Sequence, residues 1–121
     1  MGSDGAEDLR QRIKRFALRI VKLSQTLWKG KEARVLGDQL LRAGTAVAAN
    51  YRAACRARSR AEFIAKLGVV AEEADETVFR SELLEEAGIV PQEDMKNVVG
   101  EARELLSIFS AGRKTAKTRT T

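Results

Sequence analysis

The stretch Glu72-Glu73-Ala74-Asp75-Glu76 sets four carboxylates within five residues, and carboxylates on the helices of a bundle can hold a pair of metal ions. That chemistry also draws on Glu-x-x-His pairs projecting into the bundle, and the 121-residue chain contains no histidine. A di-iron site is therefore rejected, and no metal or cofactor is expected. Glu76 stands four residues before Arg80, within reach for an ion pair on one helix face, so the acidic run reads as a solvated or interface face. Histidine-dependent acid–base or nucleophilic catalysis falls with the same composition. Gly112-Arg113-Lys114-Thr115 lacks the upstream glycine, the Gly-Lys pair and the preceding strand of a phosphate-binding loop. The lone Cys55 has no intramolecular disulfide partner, and in an alanine-rich helix it reads as a small packing residue. Asn50, beside an apolar arc, reads as a helix-to-helix hydrogen bond that fixes register. The sequence thus points to binding and assembly rather than to an enzyme.

The cations offer more. Arg12, Arg15, Arg19 and Lys22 recur at helical spacing as a ridge, with only Asp8 near enough along that face to neutralise one of them. Residues 1–60 carry 14 Lys and Arg against 5 Asp and Glu, residues 61–104 carry 4 against 12, and four further bases follow. Such segregation exceeds what the net charge of +5 conveys. A basic field of this kind attracts polyanions, and each phosphate it neutralises releases counterions and makes binding salt-dependent. Without a recognition-helix motif, zinc-finger spacing or exposed aromatic platform, contacts to phosphates rather than to bases are expected. The candidate nucleic-acid residues are Arg12, Arg15, Arg19, Lys22, Arg42, Arg52, Arg56, Arg113 and Lys114.

Four helices must position these groups. The first, over 6–28, has Leu9, Ile13, Phe16, Ala17 and Ile20 on one side and ends near Gly30. The second, over 33–57, places Leu36, Leu40, Ala43, Val47, Tyr51 and Ala54 on one face. Ser59-Arg60-Ala61-Glu62 reads as a capping box opening a third helix over 60–87, which Gly88 stops. Pro91 suits the first turn of a fourth, continuing through Met95, Val98, Leu105 and Phe109 to about 111. Residues 1–5 read as a disordered or cloning-derived terminus, because the myristoylation-like start has Ala6 where Ser or Thr is needed. Residues 6–112 form the bundle, and 113–121 read as a flexible basic tail. The longest apolar runs are far shorter than the roughly 20 residues that cross a bilayer, and no signal-peptide core follows Met1, so a cytoplasmic protein is expected.

The run LLRAGTAVAANYRAACRARSRAEFIAKL, residues 40–67, followed by AEEADETVFRSELLEEAGIV, residues 71–90, resembles the four-helix-bundle family of the 23S rRNA intervening-sequence proteins. That family includes the accessory variability proteins of diversity-generating retroelements. The match spans roughly residues 16–112. Its most specific part is Arg42, then Gly44-Thr45-x-Val47-x-Ala49-Asn50, then Ser59-x-x-Glu62-Phe63. Arg80-Ser81 depart from it, standing where many relatives carry an aromatic and an aliphatic residue. The resemblance implies an antiparallel, up-and-down four-helix bundle assembling as a barrel-shaped homopentamer, with nucleic-acid binding proposed and no catalytic residues. It leaves a protein partner such as a reverse transcriptase as the competing reading.

Assembly has its own sequence signal. Beside its core arc the second helix carries Gly37, Leu41, Gly44, Ala48 and Cys55, a stripe of mostly small residues. Each glycine there costs about 1 kcal/mol of helix propensity against alanine, so the stripe is expected to receive a neighbouring subunit. Phe79 and Leu83, an i, i+4 pair off the core arc of the third helix, are the candidates for the facing surface.

Overall fold

The computed structural model of the protein describes residues 2–27 and 29–119. Met1, Trp28, Thr120 and Thr121, where parts of the expected terminus, first helix and tail fall, lie outside the described residues. Four α-helices follow one another: α1 Gly2–Leu27, α2 Lys31–Cys55, α3 Arg60–Ala87 and α4 Gln92–Thr118. No strand occurs among the described residues.

The joints are set by local chemistry. Gly30, at φ 88°, takes the left-handed backbone that turns α1 into α2, and its carbonyl accepts from Arg34 at 3.0 Å. The Ser59 hydroxyl accepts from the Glu62 amide at 3.1 Å, which is the serine half of the expected capping box. Gly88, at φ 66°, closes α3. Pro91 fixes the turn one residue ahead of the first helical position of α4.

Three short joints make sequence neighbours into packing neighbours. α2 packs along both α1 and α3, and α3 along α4, whereas α1 meets α4 over only a small area. One continuous core runs between them, with Ile13, Phe16 and Ile20 from α1, Leu40, Val47 and Tyr51 from α2, Leu67, Val70 and Leu84 from α3, and Met95, Leu105 and Phe109 from α4. Tyr51 and Phe109 meet with ring centroids 5.6 Å apart. Burial of Tyr51, reinforced by neighbouring Cys55, pushes its phenol up to about 12. At the Arg80-Ser81 departure, Ser81 is fully buried and its hydroxyl donates to the Val78 carbonyl at 2.9 Å, so a small polar residue is accommodated within its own helix.

Three expectations change. α1 begins at Gly2, so from that residue onward the expected separate N-terminal segment is its first turn. α4 continues through Gly112 to Thr118, and the expected flexible tail is helix as far as that residue. It is also held: Arg60 donates to the Arg119 carbonyl. The Arg113 guanidinium lies over Gly68 of α3, so close that a Cβ there would meet its Nε at 3.0 Å. Asn50, finally, donates to the Ala46 carbonyl at 2.8 Å within α2, so it makes its hydrogen bond along its own helix and not to a neighbour.

Candidate nucleic-acid interface

One member of the expected basic ridge on α1 is paired. Arg12 crosses to α4, where its Nε donates to Glu101 at 2.8 Å and its Nη2 reaches Glu104 at 2.7 Å. This fork ties α1 to α4 where the two helices otherwise barely touch. The hydrogen bond from Arg12 holds the Glu101 carboxyl below its usual range, with the charges of Arg19 and Arg15 adding to the effect. Arg15, Arg19 and Lys22 are exposed and enter no ion pair among the described residues, but the first two share the field of Glu101. Arg42 is also set apart from the other candidates. It faces Glu76 of α3 at 3.5 Å, and Glu76 in turn lies 3.4 Å from Arg80, the i, i+4 pair expected from sequence. Burial, followed by the neighbouring Glu76, pushes Glu73 on this seam up.

The chain's alternation of direction brings a different set of cations together. The start of α1, the end of α2, the start of α3 and the end of α4 share one end of the bundle. Two adjoining grooves open there. The first, between α1 and α2, is lined by Arg10, Lys14, Arg52 and Arg56 above a floor of Ile13, Ala48 and Tyr51. The second, between α2 and α3, is bounded by Arg52, Arg56, Arg58 and Lys66. Arg52 and Arg56 belong to both, so the two form one track. Among the described residues lining it the acids are Glu7 and Glu62, and Glu7 is engaged by Arg10 and Gln11. Lys14, Arg52, Arg56, Arg58 and Lys66 enter no ion pair among the described residues. Arg113, Lys114 and Lys117 line a further shallow groove against α3 at this end.

Of the nine cations expected from sequence, Arg52 and Arg56 are thus the centre of a track, Arg113 and Lys114 lie near it, and Arg12, Arg15, Arg19, Lys22 and Arg42 do not join it. Arg10, Lys14, Arg58 and Lys66 were missed. Their signal was available: in an up-and-down bundle the ends of α1 and α3 that begin them meet the ends of α2 and α4 that finish them. Counting charge along the chain mixes the two ends of the molecule. The opposite end carries Glu82, Glu85, Glu86, Glu93 and Asp94 near its α3–α4 joint and Lys29, Lys31 and Arg34 near its α1–α2 joint, so its charges are mixed where those of the track are mostly basic.

The small-residue stripe also has a different neighbour from the one expected. Gly37 and Gly44 are buried within the chain. A Cβ on Gly44 would stand 2.4 Å from Ile20 Cδ1 of α1. Leu41, Ala48 and Cys55 pack partly buried against the core. At Gly44 the stripe is therefore the seam between α1 and α2 of one chain, and the close approach expected of a second subunit there is made by Ile20. Phe79, by contrast, is 51% exposed, and Leu83 is half-buried beside it.

Among the described residues no group of histidine, cysteine and carboxylate side chains is arranged to hold a metal ion, and no helix is long and apolar enough to cross a membrane.

Comparison with known proteins agrees with this architecture. A crystal structure of a protein of unknown function from the S23 ribosomal protein family of Bacteroides thetaiotaomicron is 32% identical and superposes with a TM-score of 0.81, covering 90% of this chain and 97% of that one. No curated protein matches the chain. The family model for the 23S rRNA-intervening sequence protein matches residues 7–111, nearly the whole bundle, and the chain therefore belongs to the 23S rRNA-intervening sequence protein family.

Proposed function

We propose that this is a non-enzymatic, cytoplasmic protein that acts as a homo-oligomer, a pentamer as the family resemblance implies, and binds RNA or DNA through phosphate contacts at its basic end. The observation that supports this reading is the track around Arg52 and Arg56, where cations from α1, α2 and α3 converge with little acid to compensate them. Some basic groups elsewhere are answered by carboxylates, as Arg12 is by Glu101 and Glu104, and Arg103 by Glu82, and the unpaired cations of α1, Arg15, Arg19 and Lys22, lie along one helix rather than converging from three. A track of this type follows a phosphate backbone, and its guanidinium groups can grip phosphate oxygens in pairs. It does not read bases, because Tyr51 lies buried on its floor and Phe79, the exposed aromatic among the described residues, belongs to another face.

The test is charge reversal with a matched control. Arg52→Glu/Arg56→Glu should weaken binding to a generic RNA by at least about tenfold at 0.1 M salt, since two phosphate contacts are replaced by repulsion. Lys31→Glu/Arg34→Glu, exposed at the opposite end, should change it little. Equal losses in both variants would indicate attraction by overall charge, and no loss in the first would remove the basic end as the site.

A further inference from the structure

The outer face of α3 belongs neither to the core nor to the basic end. Ala65, Val69, Glu72, Glu76, Phe79 and Leu83 succeed one another at spacings of 4, 3, 4, 3 and 4 residues, the seam spacing that lets one helix lie along another. Val69 is 40% exposed and Phe79 is 51% exposed, so large apolar groups stand in water along an acidic stripe. Glu72 is exposed and enters no ion pair among the described residues, whereas Glu76 is half-buried and shared within the chain by Arg42 and Arg80, so Glu72 is the acid of this stripe that stands open to a second copy.

The chain carries a counterpart. On the side of α1 turned away from its core residues, Gln11, Arg15, Leu18, Lys22 and Gln25 follow at 4, 3, 4 and 3, and all five are exposed. Leu18 is 49% exposed and is flanked by two cations without ion-pair partners. Both stripes are of similar length, about 21 Å on α1 and about 27 Å on α3 at the rise of an α-helix. Within one chain α1 and α3 do not pack together, so the two faces cannot meet intramolecularly.

We propose that the outer face of α1 in one copy packs along the outer face of α3 in a second copy, with Leu18 against the Val69–Phe79 stretch and Arg15 and Lys22 against Glu72 and Glu76. The proposal rests on the homo-oligomer reading above and supplies its contact. A second copy is the occupant that fits, because one chain encodes both halves of the complementary pair. Nucleic acid does not fit the α3 half, whose carboxylates repel phosphate. Because two different faces meet, the contact is head-to-tail, and each copy keeps one face free for the next until a ring closes. This assigns the α1 ridge to self-association and leaves the basic end open to nucleic acid.

Sedimentation velocity of the full chain tests it, with circular dichroism to establish that each variant is helical. The wild-type protein should sediment as an oligomer. Arg15→Glu/Lys22→Glu and Glu72→Lys/Glu76→Lys should each sediment as monomer, and the chain carrying all four changes should regain the wild-type mass, since the complementarity is restored with its sign exchanged. A monomeric wild-type protein would overturn the homo-oligomer reading itself. An oligomer indifferent to either reversed pair, or a fourfold variant that stays monomeric, would overturn the α1–α3 contact alone. So would an Arg15→Glu/Lys22→Glu variant of unchanged mass that has lost RNA binding, which would give the ridge to nucleic acid.

Discussion

Replacing Gly44 by alanine should destabilise the protein in its native sequence and stabilise it when Ile20 is valine. The new Cβ would stand 2.4 Å from Ile20 Cδ1, while the next atoms, Cγ1 and Cγ2 of the same side chain, lie at an ordinary 3.7 and 3.9 Å. Ile20 is fully buried, so its terminal methyl has no solvent to swing into, and overpacking of this kind costs about 1–3 kcal/mol. Against this, alanine gains about 1 kcal/mol of helix propensity over glycine. The clash therefore prevails by about 1 kcal/mol, a fall in Tm of roughly 4 °C for a domain of this length. Ile20→Val removes the offending atom, at its own cost of about 1 kcal/mol. In that background the added methyl fits and only the propensity gain remains, so the sign reverses, and the cycle should show about 2 kcal/mol of coupling. Urea unfolding of the four proteins at one concentration measures it. Additive effects, or stabilisation by Gly44→Ala in the native sequence, would refute the assignment of this stripe to the α1–α2 seam.

Other consequences follow from the same contacts. Ending the chain after Gly112 should lower Tm by several degrees, because it removes Arg113 from its seat over Gly68 and the carbonyl that Arg60 holds; a free tail would leave Tm unchanged. The depressed Glu101 carboxyl contributes stability above its ordinary value of 4.5, and that contribution should be lost as pH falls through its lower folded value. Arg12→Ala should cost about 1–2 kcal/mol at pH 7 and flatten this acid limb, as monitored by melting between pH 7 and 3. Glu73 has the opposite sign: its carboxyl is pushed up, so its charged form opposes folding above that raised value and the opposition disappears below 4.5. Glu73→Gln should raise Tm slightly at pH 7 and make no difference at pH 3.5.

The fold was legible because its signals are local. The spacing of Leu40, Val47 and Tyr51 marks one buried face, Ser59 caps a helix through its own side chain, and Gly88 ends one by adopting a backbone that other residues resist. Partners were not legible, since a helical period shows which residues share a face and not what lies against it. The occupant opposite Gly44 is Ile20, which is distant in sequence, so a stripe built for a close approach within the chain looks the same as one built for a subunit. The end of α4 was missed for a related reason. Arg113 and Ala116, both half-buried, carry the stripe past Phe109, and an arginine whose guanidinium covers a neighbouring helix does not register as a packing residue. The candidate site was half legible. Arg52 and Arg56 stood out in a basic segment, but Lys14 and Lys66 join them only when the alternating directions of the helices are traced.

The salt dependence of RNA binding tests the central claim most directly. If Arg10, Lys14, Arg52, Arg56, Arg58 and Lys66 each meet a phosphate, the logarithm of the association constant should fall with the logarithm of salt concentration at a slope of about −4 per subunit for single strands and about −5 for a duplex. Arg52→Gln/Arg56→Gln should reduce the slope by about 1.4 on single strands. A slope near zero, or one that the double substitution leaves unchanged, would contradict a phosphate-binding track at this end of the bundle.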